Sequence, residues 1–198
     1  MRIAGVIIAG GKGTRLGGGK PLRAFGRSTL LDAVIAGARP QVEELALNVD
    51  AMAWDRCRDR GLELLRDSEE GDIGPLAGIL AGLEWAERRG AIWLATFPAD
   101  TPFLPADLVS RLLASARGAT AAHDGQRLHG LCAVWPVHAR AALLRAVRDE
   151  GIRSPRQAIR HLGGGECVFD SGPHVFFNVN TPEDLAAAED ILAAMPGP

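Results

Sequence analysis

The sequence predicts an α/β fold: three layers, with helices on both faces of a mainly parallel sheet that carries a mixed or antiparallel portion in its second half. Three observations predict it. Apolar runs of strand length alternate with segments of helical periodicity as far as Ala116, the order that builds parallel sheets. The run Ala91–Phe97 (AIWLATF) is too apolar for anything but a central strand. After Gly118 two apolar runs are joined by Asp124-Gly125, a strong hairpin signal.

Each element has its own justification. Ile3–Ile8 is a short apolar strand. A helix follows from about Ser28 to Arg39, with Leu30, Leu31, Val34 and Ile35 on one face. Glu44–Asn48 reads as the second strand, with a short helix near Ala51–Arg60 and a strand at Leu62–Leu65. Gly74-Pro75 opens a long helix running to Arg89, since proline suits a first turn. Ala91–Phe97 is the buried strand, and Pro105–Ala116 a helix. Ala119–His123 and Leu128–Trp135 make the hairpin. Helices at Val137–Glu150 and Ser154–His161 precede extended segments at Glu166–Phe169 and Val175–Asn178. Thr181-Pro182-Glu183-Asp184 offers an N-cap, a first-turn proline and an acid at the third position, so the last helix starts there. It ends before Pro196-Gly197-Pro198. Neither a repeat nor a linker interrupts the pattern, so residues 1–198 read as one domain.

Composition narrows the function. A formal charge of −2 with no basic block argues against nucleic-acid binding. Cys57, Cys132 and Cys167 fit neither a zinc spacing nor a disulfide framework and read as reduced thiols. No apolar run is long enough for a bilayer, and the first strand starts almost at once. The expectation is a cytoplasmic protein without a membrane partner.

The first motif is Ile7-Ile8-Ala9-Gly10-Gly11-Lys12-Gly13-Thr14-Arg15-Leu16-Gly17-Gly18-Gly19-Lys20-Pro21. It holds six of the 24 glycines and both lysines of the chain; the other 20 basic residues are arginines. Backbone amides freed by glycine can converge on anionic oxygens, so this is a phosphate loop. It is not G-x-x-x-x-G-K-[ST], which would need glycine at Thr14 and a hydroxyl at Pro21. Nor is it G-x-G-x-x-G, whose third glycine would fall on Leu16.

The second motif is Phe97-Pro98-Ala99-Asp100-Thr101-Pro102-Phe103. Asp100 sits at the carboxyl end of the central strand, where open α/β sheets bind ligands. Held between two prolines, its carboxylate suits Mg²⁺, against the alternative of a turn aspartate. The third is Arg66-Asp67-Ser68 with Asp72-Ile73-Gly74-Pro75-Leu76-Ala77-Gly78. There a helix N-terminus offers free amides, or the stretch is simply a well-packed helix start. The fourth is Asn178-Val179-Asn180-Thr181-Pro182, with two asparagines on one side of an extended segment, or turn residues before a capped helix. His129 could contact a ligand or be a satisfied structural histidine.

Read from Ala9 to Lys20, the pattern A-G-G-x-x-x-R-[LM]-G-G-x-K resembles the opening loop of nucleotidyltransferases with a GT-A-like, Rossmann-like fold. Within them it is most similar to the molybdenum cofactor guanylyltransferase family, whose Asn-x-Asn-Thr-Pro-Glu-[DE]-Leu segment is matched by Asn178–Leu185. The four motifs stand in family order along most of the chain. The resemblance implies transfer of GMP from GTP to molybdopterin bearing molybdenum, giving the guanine dinucleotide and pyrophosphate. The alternative is a sibling transferase: CTP to the same pterin, or a nucleotide to a sugar, polyol or corrinoid phosphate. Cytidylyl members tend to read Ala-Ala-Gly where this chain has Ala9-Gly10-Gly11.

By the same resemblance, Lys20, Arg15 and Asp100 are catalytic, and Asp100 holds Mg²⁺ as the cofactor. Ile8, Ala9, Gly10, Gly11, Lys20, Asn48, Asp50, Asp67, Gly74, Pro75, Leu76 and Asp100 bind the nucleotide, and Asn178 and Asn180 face the acceptor. Gly19 departs from the family, which usually has Asp there to orient the lysine. The implied partners are GTP, molybdopterin, molybdenum-insertion proteins and molybdoenzyme chaperones.

Overall fold

The apolar run Ile3–Ile8 forms strand β1, well inside a seven-stranded sheet. The structure, a computed structural model, describes residues 1–9, 22–51, 53–67, 73–170, 172 and 174–195. A small antiparallel ribbon of β2 (Ala24–Phe25) and β3 (Ser28–Thr29) leads into α1 (Leu30–Ala38). Thr29 caps that helix reciprocally with Asp32. Then come β4 (Glu44–Asn48), α2 (Trp54–Cys57), β5 (Glu63–Leu65), α3 (Pro75–Arg88) and β6 (Trp93–Pro98). The second half holds α4 (Leu108–Ser115), the hairpin β7 (Thr120–His123) and β8 (Leu128–Pro136), α5 (Arg140–Asp149), α6 (Pro155–His161), β9 (Gly165–Val168) and α7 (Pro182–Ala194).

The sheet order is β5-β4-β1-β6-β8-β7-β9. β5, β4, β1 and β6 are parallel, β8 runs against both β6 and β7, and β9 is parallel to β7. The mixed second half expected from the sequence is therefore one reversed strand inserted between two that share a direction. Alternation along β1 separates the layers. Val6 joins Leu80 and Leu83 of α3, with Trp135 and Leu143, on one face. Ile7 joins Leu31 and Val34 of α1 and Leu108 and Leu112 of α4 on the other. A smaller cluster of Phe25, Leu30, Phe103, Val179 and Ala188 seats α7.

Two expectations are corrected and one element is added. The β2–β3 ribbon was not foreseen, because two-residue strands carry no periodicity. The helix expected from Pro105 starts at Leu108, after a turn at Ala106–Asp107. The extended segment at Val175–Asn178 is no strand: residues 174–176 turn, and Phe176 takes a left-handed φ of 62°. Among the described residues no helix is long and apolar enough to cross a membrane.

Candidate active site

The parallel strands deliver their carboxyl ends to one edge. Pairing continues just beyond them. Ala9 N–H donates to the Asn48 carbonyl at 2.9 Å, Ala99 N–H to the Ile8 carbonyl at 3.1 Å, and Val49 N–H to the Leu65 carbonyl at 3.1 Å. Ile8, Ala9, Asn48, Asp67 and Asp100 thus gather where open α/β sheets take their ligands. Gly10, Gly11, Gly13, Arg15 and Lys20, with Ser68 and Asp72, lie outside the described residues.

Asn48 is 1% exposed, and its role is internal. Its Nδ2 donates to Asp67 Oδ1 at 2.9 Å and to the Leu65 carbonyl at 3.3 Å. Asp67 itself is exposed, so a buried amide steadies an outward carboxylate. Gly78 makes room for this: a β-carbon there would stand 2.3 Å from Asn48 Oδ1. Asp50 does local work, its Oδ1 accepting from Ala53 N–H at 2.9 Å to start the α2 turn.

Helix α3 runs back along the sheet. Gly78 lies by Ile8 and Asn48 near the strand ends, and Gly82 lies by Val6 and Leu94 further in. Its N-terminus, with Gly74, Pro75 and the fully buried Leu76, therefore points its positive dipole end at the site edge. Gly74 has φ 61°, a conformation that suits glycine, and its missing β-carbon would sit 3.6 Å from the Arg153 carbonyl.

Asp100 brings the fourth motif to the second. Its carbonyl accepts from Val179 N–H at 2.9 Å, and Phe103 O accepts from Phe176 N–H at 3.4 Å. Asn178 lies between those two anchors. Its Oδ1 is, among the described residues, the one buried side-chain polar atom without a hydrogen-bond partner. A buried carbonyl oxygen left open at a sheet edge is a place for a ligand donor or a cation. Asn180 is exposed, its N–H held by Asp184 Oδ2 at 2.8 Å in the turn that caps α7. Behind Asp100, full burial pushes the Cys132 thiol up, and the Asp100 carboxylate adds to the shift, so Cys132 is a protonated core residue and not a nucleophile. The sequence had left His129 open; it pairs with Asp124, their Nε2 and Oδ2 atoms 2.6 Å apart.

Comparison with known proteins gives matches over nearly the whole chain. Residues 5–163 match the family described as MobA-like NTP transferase domain. A Mesorhizobium japonicum protein named molybdenum cofactor guanylyltransferase is 42% identical over 204 residues, covering 98% of this chain and 97% of that one. A Rhodobacter capsulatus protein of the same name is 43% identical, covering 97% of each chain. Among solved structures, molybdopterin-guanine dinucleotide biosynthesis protein A from Archaeoglobus fulgidus superposes with a TM-score of 0.74 at 24% identity, over 98% of this chain and all of that one. The 2-C-methyl-D-erythritol 4-phosphate cytidylyltransferase of Thermus thermophilus gives 0.70 at 20% identity, covering 98% and 100%. These two likenesses bear on the fold.

Proposed function

Since the chain belongs to the MobA-like NTP transferase family, we propose that it transfers GMP from GTP to molybdopterin bearing molybdenum, forming the guanine dinucleotide cofactor. The relatives named for guanylyl transfer span nearly the whole chain. The observation that carries the reading onto the site is the hydrogen bond from Val179 N–H to the Asp100 backbone carbonyl, which ties the Asn178 segment to the backbone that bears the Asp100 carboxylate.

In this reading the terminal phosphate oxygen of the acceptor attacks the α-phosphorus of GTP. The new P–O bond forms as the bond to the β-phosphate oxygen breaks, and pyrophosphate leaves. No protein nucleophile is required; positioning and charge neutralisation are. Asn48 holds Asp67 towards the nucleoside, and the α3 N-terminus lies beside it. Lys20 and Arg15 bind the phosphates, and Asn178 and Asn180 serve the acceptor. Asp100, just past the carboxyl end of β6, is a hard oxygen donor of the kind that fits Mg²⁺. When bound, Mg²⁺ would neutralise the negative charge that builds on the transferring phosphates. The enzyme would work in the cytoplasm, with molybdenum-insertion proteins supplying its acceptor and molybdoenzyme chaperones taking its product.

The test is to incubate the protein with each nucleoside triphosphate, Mg²⁺ and molybdopterin, and follow pyrophosphate. GTP should dominate, and chelation of Mg²⁺ should stop release. Equal rates with CTP would overturn the guanylyl assignment and leave the fold standing.

A further inference from the structure

Building on that reading, we propose that His129, held by Asp124, is a positioning residue for Asn178, acting through the ring of Phe176. The topology brings these residues together. β8 runs against β6 with Ala133 opposite Thr96. His129 precedes Ala133 on β8 by as many residues as Asp100 follows Thr96, so both lie at the same end of the strand pair.

The support starts in the hairpin turn. Asp124 Oδ1 accepts the N–H groups of Gln126 and Arg127, both at 2.8 Å, which fixes the carboxylate. Its other oxygen takes His129 Nε2 at 2.6 Å and fixes the imidazole plane. That plane lies against Phe176, with ring centroids 4.6 Å apart and 29° between planes. Phe169 closes on Phe176 edge-on at 5.5 Å and 87°, and the Arg111 guanidinium lies 4.0 Å over Phe169. Phe176 is 1% exposed, so its ring has no room to turn away.

This packing answers a backbone problem. Phe176 is the one described non-glycine residue with positive φ, 62°. An aromatic residue holds that conformation only where its surroundings over-determine it. The turn it makes leads, two residues on, to Asn178 and its unpartnered Oδ1. The segment is tied on either side, Phe176 N–H to the Phe103 carbonyl and Val179 N–H to the Asp100 carbonyl. The aim of Asn178 between those ties follows from the φ that the His129 stack selects. Its oxygen accepts from an N–H or O–H donor of the acceptor, and an anionic phosphate oxygen is no such donor. His129 thus acts on the acceptor side without touching the acceptor.

The experiment combines kinetics with hydrogen exchange. His129→Ala should raise amide exchange across residues 174–180 and lower kcat/KM for molybdopterin about tenfold, while the calorimetric Kd for GTP with Mg²⁺ stays within about twofold. His129→Phe keeps a ring on Phe176 and should recover most of both losses. In an Asn178→Ala background, adding His129→Ala should lower turnover no further. The proposal is overturned if His129→Ala changes neither exchange nor acceptor kinetics, if His129→Phe recovers neither, if GTP affinity falls in step, or if the two substitutions act additively. A wild-type protein that fails to transfer GMP would instead sink the proposed function, and the exchange measurements would still report on the His129–Phe176 stack.

Discussion

Asn48 Nδ2 lies 2.9 Å from Asp67 Oδ1, so the end of one strand sets the carboxylate that leaves the end of its neighbour. Because its Asn48 end is buried, this bond is partly shielded from water and is worth more than a surface contact. Asn48→Ala should therefore weaken GTP binding by roughly tenfold, from loss of a bond worth about 1–3 kcal/mol. Gly78→Ala should do the same by a different route, since its β-carbon would strike Asn48 Oδ1. The double variant gives the new methyl the space that Asn48 vacated. It should regain melting temperature over Gly78→Ala without regaining GTP affinity, as calorimetry and thermal melts would show.

Asp100→Asn should abolish turnover and leave the fold intact. The change removes a charge from a loop beyond β6, outside the buried clusters. Pyrophosphate release over a Mg²⁺ titration checks it. A variant that keeps most of its activity at limiting Mg²⁺ would make Asp100 a structural turn residue.

Lys20→Ala should cut kcat/KM by about 10²–10³-fold, the usual loss for one donor aimed at transition-state charge. Lys12→Ala should do much less. Arginine at position 20 should rescue in part, because a planar fork does not replace a compact ammonium. Equal and small effects at both lysines would hand the phosphates to Arg15 and the backbone amides.

Acid should loosen the hairpin turn. Burial alone would raise the Asp124 carboxyl, but the Arg127 amide, His129 and the Gln126 amide together outweigh it and hold it well below the usual carboxylate range. A carboxyl depressed by folding stabilises fully above its unfolded value and loses that contribution as pH falls below it. Asp124→Asn should therefore melt lower than wild type near neutrality. The gap should start to narrow as the pH falls below 3.8, the ordinary value, and go on narrowing towards the depressed one. Melting temperatures from pH 4 to pH 2, below the range in which His129 gains its proton, test the sign; a gap that widens there would refute it.

The sequence was most legible where one local signal decided the structure. β1 and β4 match the apolar runs residue for residue, and Thr181 with Asp184 starts α7 as the capping pattern foretold. Asp124-Gly125 turned the chain between β7 and β8. What stayed hidden depended on distant partners. The insertion of β8 between β6 and β7 is a pairing choice that no local pattern encodes. Asn48 looked like a nucleoside contact because its inward direction depends on the space left by Gly78 on a helix far along the chain. Val175–Asn178 looked extended because the turn at Phe176 is imposed by rings on other elements.

The bond between Val179 and Asp100 also sets a schedule. A chain emerging from the ribosome runs from its N-terminus, and once Val168 is out, all seven strands exist. The Asp100 carbonyl still waits for its partner at that moment, and Asn178 has not been made. A nascent chain can therefore assemble the sheet and the Asn48–Asp67 pair before the segment around Asn178 is available. Termination between residues 168 and 178 would leave a chain that has all seven strands and the Asn48–Asp67 pair but lacks Asn178 and the Val179 tie to Asp100.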